Sequence, residues 1–348
     1  MLVSDFDYDL PPHLIAQTPA ADRSASRLMV LDRKTGSVET GVAANLPRWL
    51  HPGDLLVVND TRVFPARLVG HRVPSGGAVE CLLLRRLDDA RWDALVHPGQ
   101  KLKPGRRFRC EGLGGVIDGE VLAQHTFGRR TVRLWAPDGG DLDRMIDAIG
   151  HVPLPPYIRR SETPEDRERY QTVFARARGS VAAPTAGLHF TPALLEALDR
   201  RRVERLAITL HVGYGTFKPV RTEAVEDHRV DAEPYIIDEA SARAVNRALD
   251  EHRRVIAVGT TTTRALESAA MRGNGRLTAA RDETSLFISP GFAFQVVSGL
   301  LTNFHLPRSS LLFLVCAFAG RDETLAAYRR AVEEGFRFYS YGDAMLIV

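Results

Sequence analysis

The sequence predicts an α/β (α+β) large domain with an inserted small all-β barrel. Three observations lead there. From about residue 62 to 135 the chain reads as short apolar or alternating runs, "ARLVGHRV", "AVECLLLRRL", "RWDALVHPG", "GGVIDGEVLA" and "TVRLWAPDG", separated by Gly, Pro and Asp. Evenly spaced runs of that kind suit a barrel or sandwich. From about residue 180 helical and strand-like patterns take turns, which argues a layered α/β arrangement. Two further strands, Arg27–Leu31 and 54–60 ("DLLVVND"), precede the turn-rich part and fit the alternating one. The expected division is a discontinuous large domain, 1–62 and 151–348, with residues 63–150 inserted as the barrel.

The later elements follow in order. Thr191 can cap a helix over 192–202, with Pro192 in its first position. "RLAITLHV" reads as a strand, and Asp238 caps "EASARAVNRALDEH". Strand 255–258 runs into the helix "TTRALESAAM". Helices near 309–319 and 323–334 come next, and "AMLIV" closes the chain. The charged stretch 159–179, "RRSETPEDRERYQTVFARARG", reads as a mobile surface segment. No apolar run approaches the roughly 20 residues of a membrane span. The N-terminus has no basic-then-apolar signal pattern, so a cytoplasmic location is expected. Cys81, Cys110 and Cys316 are isolated and lack metal-ligand spacing, which makes them buried thiols. A formal net charge of +3 does not by itself mark a nucleic-acid binder.

Four segments carry candidate chemistry. "SVAAPTAGLHF" brings Thr185 and His189 into a small-residue turn before a helix. "ITLHVGYGTFKPV" runs from a strand into His211, Gly213, Tyr214 and Gly215, where glycine lets a ligand approach the backbone. Its alternative is a plain hairpin turn. "VIAVGTTTTRALES" places Thr260, Thr261 and Thr262 at a helix start, with Arg264 a turn later. Free N–H groups and hydroxyls there suit an anion; simple N-capping is the alternative. "LLTNFHLPRSS" places Asn303 and His305 between a strand end and a helix. In open α/β sheets ligands lie beyond the carboxyl ends of strands, so these loops are expected to converge on one cleft.

Other stretches are more ambiguous. "VEDHRVDAEPY" holds Asp227 and His228 among Glu226, Asp231 and Glu233. It reads as an acid–base pair or a solvated turn, and a metal site lacks the helical spacing that would support it. Lys101, Lys103, Arg106 and Arg107 form a basic run, and Arg159 and Arg160 another. Both suit phosphate contacts, or a solvated surface that resists edge pairing.

These motifs match a known family. "DFDYDLPPHLIAQTP", "GDLLVVNDTRVFPARL", "GHVPLPPYI", "YQTVFARARGSVAAPTAGLHFT", "TLHVGYGTFKPV", "LLTNFHLPRSSLLFLVCAFAG" and "YSYGDAMLI" together resemble the S-adenosylmethionine:tRNA ribosyltransferase-isomerases of queuosine biosynthesis, almost end to end. "GTTTTR", Tyr214 and "SGGAVE" are small departures from the family pattern. The resemblance implies a large α/β domain with an inserted barrel. It implies that S-adenosylmethionine is a consumed substrate, with no cofactor and no metal. Its ribosyl part goes to 7-aminomethyl-7-deazaguanine at the wobble position of tRNAs with GUN anticodons, and adenine and methionine leave. A monomer without membrane association is expected.

That chemistry needs a proton acceptor and a proton donor near neutral pH, and imidazole suits both. His189, His211 and His305 are the candidates, followed by His228 with Asp227. Thr260–Thr262 and Arg264 are expected to hold the methionine carboxylate, with Thr185 also at the substrate. Gly213 and Gly215 would lie against the adenosine. Phe190, Phe217 or Tyr214 would stack on a base. Asn59, Arg62 and Asn303 are candidate base-edge contacts. Two other classes stay open at this point, a metal-dependent small-molecule hydrolase and a non-catalytic RNA-binding module.

Overall fold

The structure is a computed structural model and describes residues 1–348. In chain order it contains β1 (Arg27–Leu31), β2 (Val38–Val42), β3 (Leu55–Asn59) and the short β4 (Thr61–Val63). Next come β5 (Arg67–Val73), β6 (Ala78–Arg86), β7 (Arg91–His97), β8 (Arg107–Gly112), β9 (Gly115–Gln124) and β10 (Arg129–Trp135). Helices α1 (Leu142–Ile149) and α2 (Asp166–Arg169) lead to β11 (Ala177–Ser180), α3 (Pro192–Arg200), β12 (Glu204–Leu210) and β13 (Glu233–Ile237). The rest is α4 (Glu239–Asp250), β14 (Val255–Val258), α5 (Thr260–Arg272), β15 (Ala280–Thr284), β16 (Gly299–Asn303), α6 (Ser310–Ala319), α7 (Arg321–Glu333) and β17 (Ala344–Ile347).

Nine strands form one sheet in the order β15-β13-β12-β3-β14-β16-β17-β1-β2. Its centre, β12, β3, β14 and β16, is parallel. Such strands are covered on both faces and read as continuous apolar runs, as β3 (Leu-Leu-Val-Val-Asn) does with every residue buried. Alternation sends Leu55, Val57 and Ala257 into the core under α4–α7, and Leu56, Val58 and Ile256 into the core under α3. Parallel strands share one direction. The ends of β12, β3, β14 and β16 therefore lie along one edge, and the chain leaves them at His211, Asp60, Gly259 and Phe304.

The six strands β5–β10 close into an antiparallel barrel, β10-β7-β6-β5-β8-β9. Leu68, Cys81, Leu83, Trp92, Phe108, Ile117 and Val132 fill it, and Met145 and Ile146 of α1 join the same core. Gly119 is required there, because a Cβ would sit 2.2 Å from the Phe108 ring. The parallel pair β4 and β11 runs alongside the junction, and Arg85 of β6 reaches Glu283 of β15 at 2.8 Å. All three cysteines are buried and unbridged.

Two sequence expectations change. The stretch 159–179 is anchored: Tyr170 is fully buried, and Asp166 is buried with Arg160 bonded to both its oxygens at 2.6 and 2.8 Å. A buried carboxylate needs such a partner, so the charges of this segment belong to its packing. The sequence pattern does not reveal strands β2, β4, β8, β11, β13 and β15. β8 lies inside the basic run and β13 inside the acidic one, where charge masks the period-2 pattern of a half-buried strand.

Candidate functional site

The loops at the carboxyl edge of the parallel strands enclose a cleft of about 530 Å³. Thr185, Thr260, Thr261, Asn303 and His305 contribute to its walls together with Val212, Thr216 and Phe217, so all four candidate segments meet here. Tyr157, Tyr339 and Ser340 are among the wall residues the sequence did not single out. Tyr157 and Tyr339 pack edge to face with ring centroids 3.9 Å apart, and Phe217 lies 6.0 Å from Tyr157. Tyr339 has φ +74°. A tyrosine in the left-handed region is uncommon and is held only where its surroundings demand it. Nothing in "FYSYG" signals that conformation.

Asn303 organises one wall. Its Nδ2 donates to the Tyr339 carbonyl at 3.2 Å and lies 3.1 Å from His189 Nε2, while its Oδ1 accepts from the Thr185 hydroxyl at 2.9 Å. A backbone carbonyl only accepts, so it fixes which way the amide points. His189 Nε2 must then be the acceptor, and its proton sits on Nδ1. Burial, with the positive charges of Arg337 and Arg23, pushes the His189 pKa down to about 4. His305 lines the cleft, with Nε2 2.8 Å from the Thr302 hydroxyl and burial pushing its pKa down to about 3. Its backbone is clamped by Tyr328, which receives the His305 N–H, and by Tyr8, which donates to the His305 carbonyl. Both imidazoles are neutral at pH 7.

These low values predict a pH dependence of stability. In the unfolded chain each histidine takes up a proton below about pH 6.5. In the folded chain His189 does so only near 4 and His305 only near 3. The unfolded state binds the extra protons, so stability falls as pH drops from about 6.5 towards 4, each histidine contributing a slope approaching about 1.4 kcal/mol per pH unit. Urea unfolding between pH 7 and pH 4.5 should show a shallower slope for His305→Gln than for the parent. Equal slopes would contradict the burial effect.

His211 stands apart. Its Nδ1 is 2.8 Å from the Thr61 hydroxyl, and a Cβ at Gly179 would sit 2.8–2.9 Å from its ring. Burial lowers its pKa, opposed by Asp60. The neighbouring Val212, not His211, reaches the cleft. Asn59 is buried and braces Leu210 and Thr61 through 2.9–3.1 Å bonds. At the Thr run, Gly259 turns the chain with φ +95°, and the N–H groups of Thr260, Thr261 and Thr262 have no protein acceptor. The Thr262 hydroxyl is turned back to the Val258 carbonyl at 2.7 Å, so Thr260 and Thr261 are the pair that face the cleft.

A second chamber of about 420 Å³ adjoins the first, with Thr216 and Leu311 in the walls of both. Gly215, Asp231, Glu233 and Arg264 line it. Arg264 is bonded to Glu233 and donates to the Leu286 carbonyl at 2.9 Å. Glu233 also accepts the Gly213 N–H at 2.8 Å.

A family model described as "Queuosine biosynthesis protein" matches residues 3–347. The chain belongs to this family. S-adenosylmethionine:tRNA ribosyltransferase-isomerases from Heliobacterium modesticaldum and Syntrophotalea carbinolica are 53% and 52% identical to it, each over the whole of both chains. A crystal structure of S-adenosylmethionine tRNA ribosyltransferase from Thermotoga maritima is 37% identical, covers 99% of this chain and 100% of its own, and superposes with a TM-score of 0.55. The barrel and the mixed sheet are thus the fold of the family.

Within that fold the remaining predicted residues are dispersed. His228 packs edge-on against Phe287, 5.2 Å between centroids, and Asp227 is exposed beside it; neither lines the main cleft. Phe190 is fully buried against Phe174 and cannot stack on a ligand. Tyr214 lies 6.0 Å from Phe217 and packs on the barrel core. Arg62 lines a separate cavity at the barrel junction with Arg167 and Arg178. Lys101, Lys103 and Arg106 are exposed before β8, with no carboxylate within 4 Å, and Arg107 is 3.8 Å from Glu120. Arg159 is exposed, while Arg160 is held by Asp166. No three His, Cys, Asp or Glu side chains are grouped to hold a metal ion, and no helix is long and apolar enough to cross a membrane.

Proposed function

We propose that the chain transfers the ribosyl part of S-adenosylmethionine to 7-aminomethyl-7-deazaguanine at the wobble position of tRNA, isomerising it to epoxyqueuosine and releasing adenine and methionine. One observation carries this reading: a chain similar throughout to enzymes of that name closes its polar loop ends on one cleft. S-adenosylmethionine is consumed, so it is a substrate and no separate cofactor is required.

The chemistry has four demands. A proton must leave the ribose C5′ next to the sulfonium, giving a sulfur ylide. Adenine must depart with a proton. The amine of the RNA base must attack the sugar, and epoxide closure must expel methionine. His305 lines the cleft as a neutral imidazole whose Nε2 is held by the Thr302 hydroxyl, which suits it to position the ligand by a fixed polar contact rather than to ionise near pH 7. His189 has Nε2 engaged by Asn303, which makes it a fixed member of the Thr185–Asn303–His189 wall. Tyr157, Tyr339 and Phe217 offer aromatic surfaces to a purine or deazaguanine. The free N–H groups at the start of α5 favour an anionic or electron-rich atom of the substrate.

The wobble base lies in a loop and is already partly unstacked, so its extrusion costs little. Lys101, Lys103 and Arg106 are cations without acid partners and are suited to the phosphates of the stem. Arg62 and Arg159 extend that set, whereas Arg160 serves the buried Asp166. His211 and Asn59 act as supports beside the site through Thr61 and Leu210. Under this reading the protein works as a cytoplasmic monomer.

The test is product release. With S-adenosylmethionine and precursor-bearing tRNA, adenine and methionine should form in equal amounts; with unmodified tRNA, neither. Release that ignores the tRNA would refute the reading.

A further inference from the structure

We propose that the second chamber is a subsite for the α-amino-acid head of the substrate, in which Glu233 receives the ammonium and Arg264 the carboxylate. The proposal rests on the ribosyl-transfer reading above. Three observations support it.

The first is continuity. Thr216 and Leu311 belong to the walls of both chambers, so the two lie side by side, as a ligand with its nucleoside in the first and an unbranched chain in the second requires. The second is charge. The Glu233 and Arg264 side chains are only 4% and 11% exposed, yet both face the chamber. A buried ion pair is weak evidence for stability, since desolvation opposes the Coulomb gain. One that borders a cavity offers opposite charges side by side, which complements both charges of a zwitterion. Asp231, the other carboxylate of the chamber, is held at the surface by Lys218 at 2.6 Å, leaving Glu233 as the buried anion.

The third is unused bonding capacity. Arg264 has five N–H groups. One goes to Glu233, one to the Leu286 carbonyl at 2.9 Å and one, at 3.4 Å, to the Thr284 carbonyl. Two remain for a carboxylate. Glu233 accepts one bond at each oxygen, from Gly213 and from Arg264, and each oxygen keeps a further acceptor site. Gly215 keeps the chamber open beside Asp231, because a Cβ there would sit 2.7 Å from the Asp231 carboxylate.

The experiment compares binding of S-adenosylmethionine with its decarboxylated form and with a form whose amine is replaced by hydrogen. Calorimetry on the full-length protein should show each analogue binding at least about tenfold more weakly, the loss expected of one charged hydrogen-bonded contact. In Glu233→Gln, the penalty for removing the amine should fall below about threefold while the penalty for removing the carboxylate persists. Equal binding of all three ligands by the unaltered protein overturns the proposal without any variant. Undiminished discrimination against the deaminated form in folded Glu233→Gln overturns it as well. Adenine release by the unaltered protein separates the two levels. If release depends on precursor tRNA but the analogues bind alike, the subsite falls and the reaction stands. If no release occurs, the reaction falls first.

Discussion

Replacing Asn303 with alanine should lower turnover about a hundredfold, the loss that follows when catalytic groups shift by an ångström or so. Asn303 ties Thr185, His189 and the Tyr339 carbonyl into one wall of the cleft. Alanine removes all three bonds. The Thr185 hydroxyl and His189 Nε2 then lack partners in a mostly buried place, at about 1–3 kcal/mol for each group left unsatisfied, whereas the Tyr339 carbonyl keeps the Gly342 N–H at 2.9 Å. Tyr339 also loses one of the contacts that hold its left-handed backbone. The KM for S-adenosylmethionine should move less than kcat, because the side chain orients the wall more than it grips the ligand. Single-turnover rates with precursor tRNA measure this directly. A variant that folds and turns over within about threefold of the parent would remove Asn303 from any organising role.

The second large effect is on stability. Arg264→Ala leaves the Glu233 carboxylate buried with its partner gone, which should cost about 3–5 kcal/mol in urea unfolding. Removing the charge on both sides should recover stability: Arg264→Met together with Glu233→Leu is expected to be more stable than Arg264→Ala alone, because apolar groups need no ionic partner. The recovered protein should still bind S-adenosylmethionine poorly. Additive losses, with the double variant less stable than either single one, would show that the pair is not energetically coupled.

The sequence carried much of this. The alternating runs between Arg67 and Trp135 closed into a barrel because inward apolar residues such as Leu68, Cys81 and Val132 recur at period 2. The cap at Thr191 and the helix after it formed as the local rules require, with the hydroxyl accepting from Leu194 N–H. Charge hid other elements. β13 is half of an acidic stretch, and its Glu233 points inward where Arg264, 31 residues later, and the Gly213 N–H receive it. Phe190 and Arg160 are of types that suit ligand contacts. Neighbours far along the chain claimed them for packing and for Asp166 instead.

Local pattern and the family's motifs determined by themselves that this chain builds an α/β sheet with a barrel, and that Thr185, Thr260, Asn303 and His305 sit at loop ends suited to a ligand. Which loop ends meet was decided by the parallel order β12-β3-β14-β16, a property of strand pairing between residues up to 200 positions apart, Leu55 with Val255 among them. The tertiary structure also decided protonation. A histidine's proton depends on its surroundings, and burial together with one backbone carbonyl, that of Tyr339, leaves His189 neutral with Nε2 occupied.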